Sequence, residues 1–344
     1  MNASRPFKTA TLADVARVAG VSPITASRAL ANPGIVSPRT IERVRQAVET
    51  TGYIPNLLAG SLKSNRSMTV ACLVPAISVA QFLPTVHTLT DALAAAGYQL
   101  VLGQTGYVHA REEALIDTMV ARRPDGIVVA GLVHSPAARQ KLRRLGIPVV
   151  ETWDLSDEPI DMLVGFSHQE VGAAVAAFFR RRGWQRVGIA TGDDHRASLR
   201  RQGFLAAWGR EVPVAVGPAP SNLALGRRAL GRLLQQEPAL EAVFCSSDQL
   251  AQGVITEALD RGLQVPGQLA VCGFGDADFA AHMRPALTTV QVDGAAIGAR
   301  AAQLIIDRRS GAAIAQAITD IGFRIVERTS TMDAGPATRP SPAP

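Results

Sequence analysis

Cysteine is scarce in this chain. Only Cys72, Cys245 and Cys272 occur among 344 residues, far apart and each inside an apolar run: VACLVP, AVFCSS and LAVCGF. With no CxxC and no Cys/His spacing, neither a disulfide framework nor a metal site is expected, only buried reduced thiols. Long apolar runs are missing too, since none approaches the roughly 20 residues of a membrane-spanning helix. The opening MNASRPFKTATLADV has no apolar secretory core, so a cytosolic location and no membrane partner are expected. Catalytic signatures are also absent. There is no P-loop, no HExxH and no GxSxG elbow, and GFGDAD is too sparse for a dinucleotide fingerprint. No enzyme activity and no cofactor are expected.

Acidic residues are few where basic ones gather. Residues 1–67 hold nine Lys or Arg against Asp14, Glu42 and Glu49, so they carry the whole formal charge of +6. The remainder, with 26 basic and 26 acidic groups, is neutral. A charge concentrated on one short segment is the electrostatic footprint of a polyanion partner. Elsewhere the 47% hydrophobic content allows large buried cores and two or three domains.

Thr11 is a helix N-cap with Asp14 as capping-box partner, and Leu12, Val15, Ala16 and Ala19 mark one apolar face before Gly20 ends the helix. In GVSPITASRAL, Ser22 caps a second short helix with Pro23 at its first position. Ala26 and Leu30 are expected to face inward. Pro23, Ile24, Thr25, Ser27 and Arg28 then cover the exposed side. Ser37-Pro38 repeats the cap signal, and Ile41, Val44 and Val48 give a third helix that stops at Gly52. This is a helix-turn-helix, whose second helix enters the major groove by its N-terminal end. An exposed Ile24 suits a thymine methyl, Arg28 suits guanine, and Thr25 and Ser27 suit phosphate.

After Tyr53-Ile54-Pro55, Asn56 can cap a helix from Leu57 to about Lys63. Under two turns long and with Gly60 inside, such a helix needs a partner to order it. A leucine presented on a basic helix matches the wedges of minor-groove binders, and Leu62 is the candidate. The DNA-contact candidates are therefore Thr11, Ser22, Pro23, Ile24, Thr25, Ser27, Arg28, Asn32, Tyr53, Asn56, Leu62 and Lys63.

The stretch from TLADVARVAGVSPITASRALANP to GYIPNLLAGSLKSN closely resembles the headpiece of the lac and galactose repressor family of bacterial transcription regulators. It carries the VARxAGVS turn, the SRAL recognition helix, the VSPxTxxRV third helix, the GYxPN joint and the SLK hinge. GYQLVLGQTGY, GIPVVETWD and DMLVGFSH are most similar to the gluconate-operon repressor branch. The resemblance implies a cytoplasmic homodimer that binds a palindromic double-stranded operator, with paired hinge leucines opening the minor groove. Pro23 and Ile24 stand where many members carry polar or aromatic base-readers, so the operator sequence does not carry over.

From Met68, strand-like runs such as TVACLVP, GIVVAG, RVGIAT and LAVCGF alternate with helical segments, about ten strands in all. The pattern predicts parallel sheets with right-handed crossovers in two lobes. The expected fold class is a small all-α DNA-binding domain (1–56), a hinge helix or linker (57–67) and an α/β two-lobed, periplasmic-binding-protein-like core (68–330). The lobes are read as 68–165 plus 294–316, and 166–293 plus 317–330. A disordered Pro/Ala-rich tail (331–344) follows, with no leucine heptad for a tetramer.

Ligands of open α/β sheets sit beyond the carboxyl ends of the strands. The polar residues there are Gln104, Asp154, Asp194, Arg200, Ser247, Asp248 and Asp276, and Phe82 completes the candidate effector set. Arg200, Gly203 and Phe204 resemble the family's effector-binding Arg-x-x-Gly-Phe, and a guanidinium there suits the carboxylate of a sugar acid. Asp248 resembles a family effector-site aspartate or its immediate neighbour, or else caps the next helix, and Asp276 and Asp154 carry over as contacts to the hydroxyls of a polyol. Ser247, Gly275 and Val79 depart from the usual Asn, Asp and Asn. The function implied is a repressor answering to gluconate or a phosphorylated sugar acid. Alternatives are a different sugar, activation in place of repression, and a sugar-binding uptake protein.

Overall fold

The computed structural model describes residues 10–54, 66–107, 109–133 and 135–332. The chain divides into two compact units, Met1–Ser67 and Met68–Pro344. The expected hinge helix, with Asn56, Leu62 and Lys63, lies outside the described residues, as do residues 333–344 of the expected tail.

In the first unit, α1 (Leu12–Ala19) starts at the Thr11/Asp14 capping box and ends at Gly20, whose φ of 62° supplies the left-handed C-cap. α2 (Pro23–Ala31) is capped by Ser22, whose hydroxyl accepts from Thr25 N at 3.1 Å. α3 (Pro38–Thr51) is capped by Ser37. The core is made of small side chains, namely Val15, Ala16, Ala19, Ala26, Ala29, Val44 and Ala47. Arg43 reaches back from α3 to the carbonyls of Ala19 and Gly20, satisfying acceptors that α1 leaves open at its end. One inward position differs from expectation. Ala29 is buried where Leu30 was expected, and Leu30 is 37% exposed, because a helix one residue further round brings 26 and 29 onto the packed face.

The second unit contains two six-stranded sheets. The first has the order β11-β5-β4-β3-β1-β2, built from β1 (Thr69–Val74), β2 (Gln99–Gln104), β3 (Gly126–Ala130), β4 (Val149–Thr152), β5 (Met162–Gly165) and β11 (Ile318–Asp320). The second has the order β12-β10-β9-β8-β6-β7, built from β6 (Val187–Gly192), β7 (Val214–Gly217), β8 (Ala242–Cys245), β9 (Ala270–Phe274), β10 (Thr288–Gln291) and β12 (Arg324–Val326). All neighbours are parallel except β12, which runs antiparallel to β10. β1, β3 and β5 of the first sheet and β6, β8 and β9 of the second read as near-continuous apolar runs, because helices cover both faces.

These helices are α4 (Leu83–Ala95), α5 (His109–Val120), α6 (Pro136–Arg144), α7 (His168–Arg181), α8 (His195–Trp208), α9 (Leu223–Gln236), α10 (Asp248–Asp260) and α11 (Gly294–Ser310). The three cysteines are buried free thiols.

The chain passes between the sheets three times, at Gly165–His168, at Gln291–Gly294 and between Asp320 and Arg324. Residues 317–320, read from sequence as second-lobe, instead add β11 to the edge of β5, with Ile318 paired to Leu163. Thr331, read as the start of a tail, is buried and shares a 2.6 Å hydroxyl contact with Thr288.

Candidate functional site

On α2 the side chains that do not pack form a continuous exposed face of Pro23, Ile24, Ser27 and Arg28, with Ile24 65% exposed. Ser22 and Thr25 are joined to each other by a 2.8 Å hydroxyl contact at the helix N-terminus. Thr11 is engaged in its capping box, Asn32 caps the end of α2, and Tyr53 packs partly on the headpiece core. An exposed, capped N-terminus with an apolar residue beside an exposed arginine can hold phosphate and read base edges.

In the core, each sheet has a switch point where the strand order reverses, between β1 and β3 in the first and between β6 and β8 in the second. Both face one cleft of about 410 Å³. Its wall is drawn from Pro75 after β1, Thr105–Tyr107 after β2, Gly131 and Leu132 after β3, Asp154 after β4 and Asp193–Arg196 after β6. This is where open α/β sheets place ligands, and the volume suits a small molecule.

Arg200 lies behind this wall on α8, and it is 4% exposed, so it is no solvated member of an arginine-rich helix. Its guanidinium donates to His168 Nδ1 at 2.9 Å and to Ser246 O at 2.9 Å, and its Cζ sits 4.0 Å from the Phe274 ring centroid. Nε is buried without a hydrogen-bond partner, and among the described residues no carboxylate comes within ion-pair distance of Arg200. Burial pulls its pKa down to about 10, and the nearest compensating charges are Asp194 and Asp154 of the cleft wall.

Asp154 is a second buried group with spare capacity. Its Oδ1 accepts from Leu155 N at 3.0 Å, while Oδ2 has no partner. Burial raises its pKa, opposed by that backbone donor and by Arg196, His195 and Arg200.

Glycines bring these groups together. α7 and α8 cross so closely that a Cβ on Gly172 would sit 1.9 Å from Arg200 O, and one on Gly203 would sit 2.0 Å from Gln169 O. The contact sets His168, at the start of α7, against Arg200.

The other candidates distribute differently. Asp194 lines the cleft and caps α8, accepting from Ala197 N at 3.0 Å. Phe82 is buried beneath the Arg196 guanidinium, 5.1 Å from its ring centroid. Gln104 is exposed at the end of β2 and accepts from Ile77 N at 3.4 Å. Ser247 caps α10. Asp248 is fully engaged, accepting from Thr289 Oγ1 at 2.6 Å and Ala277 N at 2.7 Å, and burial pushes its pKa up to about 6. Asp276 pairs with Arg328 at 2.7 Å beside a separate depression lined by Gln81, Gln291 and Arg324.

Tyr107 and Arg196 in the cleft wall, and His168 behind it, are among the residues that the sequence does not single out. Tyr107 follows β2 and fits the rule for polar residues after strands. Arg196 stands four residues before Arg200 on one helix face. His168 had no signal of its own, because its role depends on a crossing that only the fold creates.

Comparison with known proteins agrees with both units. Residues 11–56 match the model for bacterial regulatory proteins of the lacI family, and residues 176–331 match a periplasmic binding protein-like domain. The chain is 36% identical over 327 residues to the HTH-type transcriptional regulator GntR of Pseudomonas aeruginosa, covering 93% of this chain and 95% of that protein. A lacI-family transcriptional regulator from Silicibacter pomeroyi superimposes with a TM-score of 0.87 at 34% identity, covering 93% of this chain and 98% of that one. The lac repressor dimer bound to operator shares the fold, with a TM-score of 0.80 at 21% identity over 94% of this chain and all of the other.

Proposed function

Because the chain belongs to the lacI family of bacterial regulatory proteins and is a DNA-binding transcriptional regulator, we propose that it is a homodimeric repressor released from a palindromic operator by a small sugar acid. Gluconate or a phosphorylated sugar acid is the effector this reading favours. The observation that carries it is the buried Arg200 guanidinium, which has an unpartnered Nε and no carboxylate of its own, beside the unpartnered Oδ2 of Asp154. A ligand carboxylate supplies a charged acceptor for the first, and hydroxyl donors suit the second. A neutral sugar would leave the Arg200 charge offset only by the non-contacting carboxylates of Asp194 and Asp154.

On the DNA side, Ile24 and Arg28 read base edges in the major groove, Thr25 and Ser27 hold phosphate, and Leu62 enters the minor groove. The effector acts by binding one arrangement of the two lobes better than the other, which shifts the population away from the operator-competent state. Relatives named GntR support the gluconate class.

The test is to isolate the genomic fragments that the purified protein protects and then titrate gluconate and its phosphorylated forms while following release. Release at sub-millimolar concentration by a sugar acid, and not by the matching neutral sugar, is expected. Retention on the operator with every sugar acid would overturn the effector assignment and leave the DNA-binding role untouched.

A further inference from the structure

The two unpartnered atoms, Asp154 Oδ2 in the cleft wall and Arg200 Nε behind it, are not independent of each other. Arg200 belongs to the second lobe and Asp154 to the first, and one residue ties them. His168 accepts from Arg200 at Nδ1 and contacts Trp153 O through Nε2 at 3.0 Å. A guanidinium cannot accept a hydrogen bond and a carbonyl cannot donate one, so the ring is neutral with its proton on Nε2. Trp153 immediately precedes Asp154.

The Trp153–Asp154 turn is held on every side. Trp153 has φ 63°, a left-handed conformation that is unfavourable for a non-glycine residue and persists only where its surroundings fix it. Its backbone N–H donates to Val164 O at 3.1 Å. Its indole N–H donates to Thr85 Oγ1 at 2.9 Å, and that hydroxyl donates to Gly294 O at 2.7 Å on another lobe crossing. The ring is wedged edge-on between Phe82 and Phe166. Asp154 O lies so near β5 that a Cβ on Gly165 would come within 1.7 Å of it.

From this geometry we infer that His168 is a specificity-determining positioning residue: it fixes the guanidinium of Arg200 in register with the Asp154 carboxylate, so that anion and hydroxyl recognition sit at one set separation. The inference rests on the sugar-acid reading above and deepens it. The site then selects for an open-chain ligand with a carboxylate at one end and hydroxyls along it. A neutral polyol engages the Asp154 end alone.

Full-length protein carrying His168→Leu or His168→Gln tests this, with gluconate and its reduced polyol, glucitol, as paired ligands in calorimetric titrations. Gln offers one acceptor and one donor at a branched end, as the neutral ring does, whereas Leu offers neither. In the unaltered protein gluconate is preferred, and the preference is expected to fall at least about tenfold in His168→Leu, the worth of one charge-assisted hydrogen bond, and to return in His168→Gln. If His168→Leu does not fold, His168→Asn takes its place, a polar side chain too short to span both partners. Equal weakening of gluconate and glucitol overturns the inference, because a merely structural role predicts it. Failure of the unaltered protein to bind any sugar acid overturns the sugar-acid reading, and this inference falls with it.

Discussion

His168 makes a proton-linked prediction. Burial is the main cause that lowers its pKa well below the ordinary histidine value, reinforced by the charges of Arg200 and Arg196 and by His195, and opposed by the Trp153 carbonyl. The folded state therefore resists protonation that the unfolded chain accepts below about pH 6.5. Stability contributed by the neutral ring is present above that pH and is lost as pH falls toward the folded pKa, at up to about 1.4 kcal/mol per pH unit. Denaturant titrations of the unaltered protein and His168→Gln from pH 8 to pH 5 should diverge only below about pH 6.5, with the unaltered protein losing more. Parallel curves would mean that the ring is not kept neutral in the native state. Asp248 runs the opposite way. Its raised pKa favours the folded state on acidification, and because both proteins share it, it cancels in the comparison.

Helix contacts show which glycines matter. Gly203→Ala places a methyl group against the Gln169 carbonyl and must push α7 and α8 apart, so a loss of about 2–4 kcal/mol is expected in chemical denaturation, with weaker sugar-acid binding. Gly231→Ala on α9 meets only the flexible end of Arg261 at 3.3 Å, and should be neutral or stabilise by up to about 1 kcal/mol. Similar destabilisation by both would show that packing at the α7/α8 crossing is not special. For α2, Arg28→Ala should cost about 1–3 kcal/mol on the best operator and relax preference at one base pair per half-site, measured across a library of operator variants. A uniform loss at all sequences would make Arg28 a phosphate contact.

Much of this was legible in the chain. Thr11, Ser22 and Ser37 announce three helix starts, and Gly20 and Gly52 two ends, because caps are local chemistry. The apolar runs of β1, β3 and β6 announce parallel strands for the same reason. β7, β11 and β12 are edge strands of three or four residues, too short for a pattern to separate from noise. Leu30 and Ala29 are adjacent, and composition could not say which one the fold turns inward. Arg200 was recognised by type, but its burial, its stacking on Phe274 and its tie to His168 arise from residues 32 to 74 positions away in sequence.

The charge asymmetry of the whole chain has a measurable consequence. With the full +6 on residues 1–67, operator affinity should fall steeply with salt, and each phosphate contact adds roughly 0.9 to the slope of log affinity against log salt. Leu62→Ala should weaken specific binding by a few kcal/mol at most while leaving that slope and the affinity for random duplex nearly unchanged. Equal loss on random duplex would contradict a wedge. The third crossing, at Asp320–Arg324, carries a different implication. β11 covers the edge of β5 and β12 covers the edge of β10, so each sheet gains its last strand from the same nine residues, 318–326. During synthesis those residues leave the ribosome after every other strand, and until then Met162–Gly165 and Thr288–Gln291 stand as bare edges open to pairing with a neighbouring nascent chain. The small helical unit, made first, can fold long before its sensor is finished. A ribosome stalled before residue 318 would therefore display a finished DNA reader attached to a sensor whose two sheets still lack their closing strands.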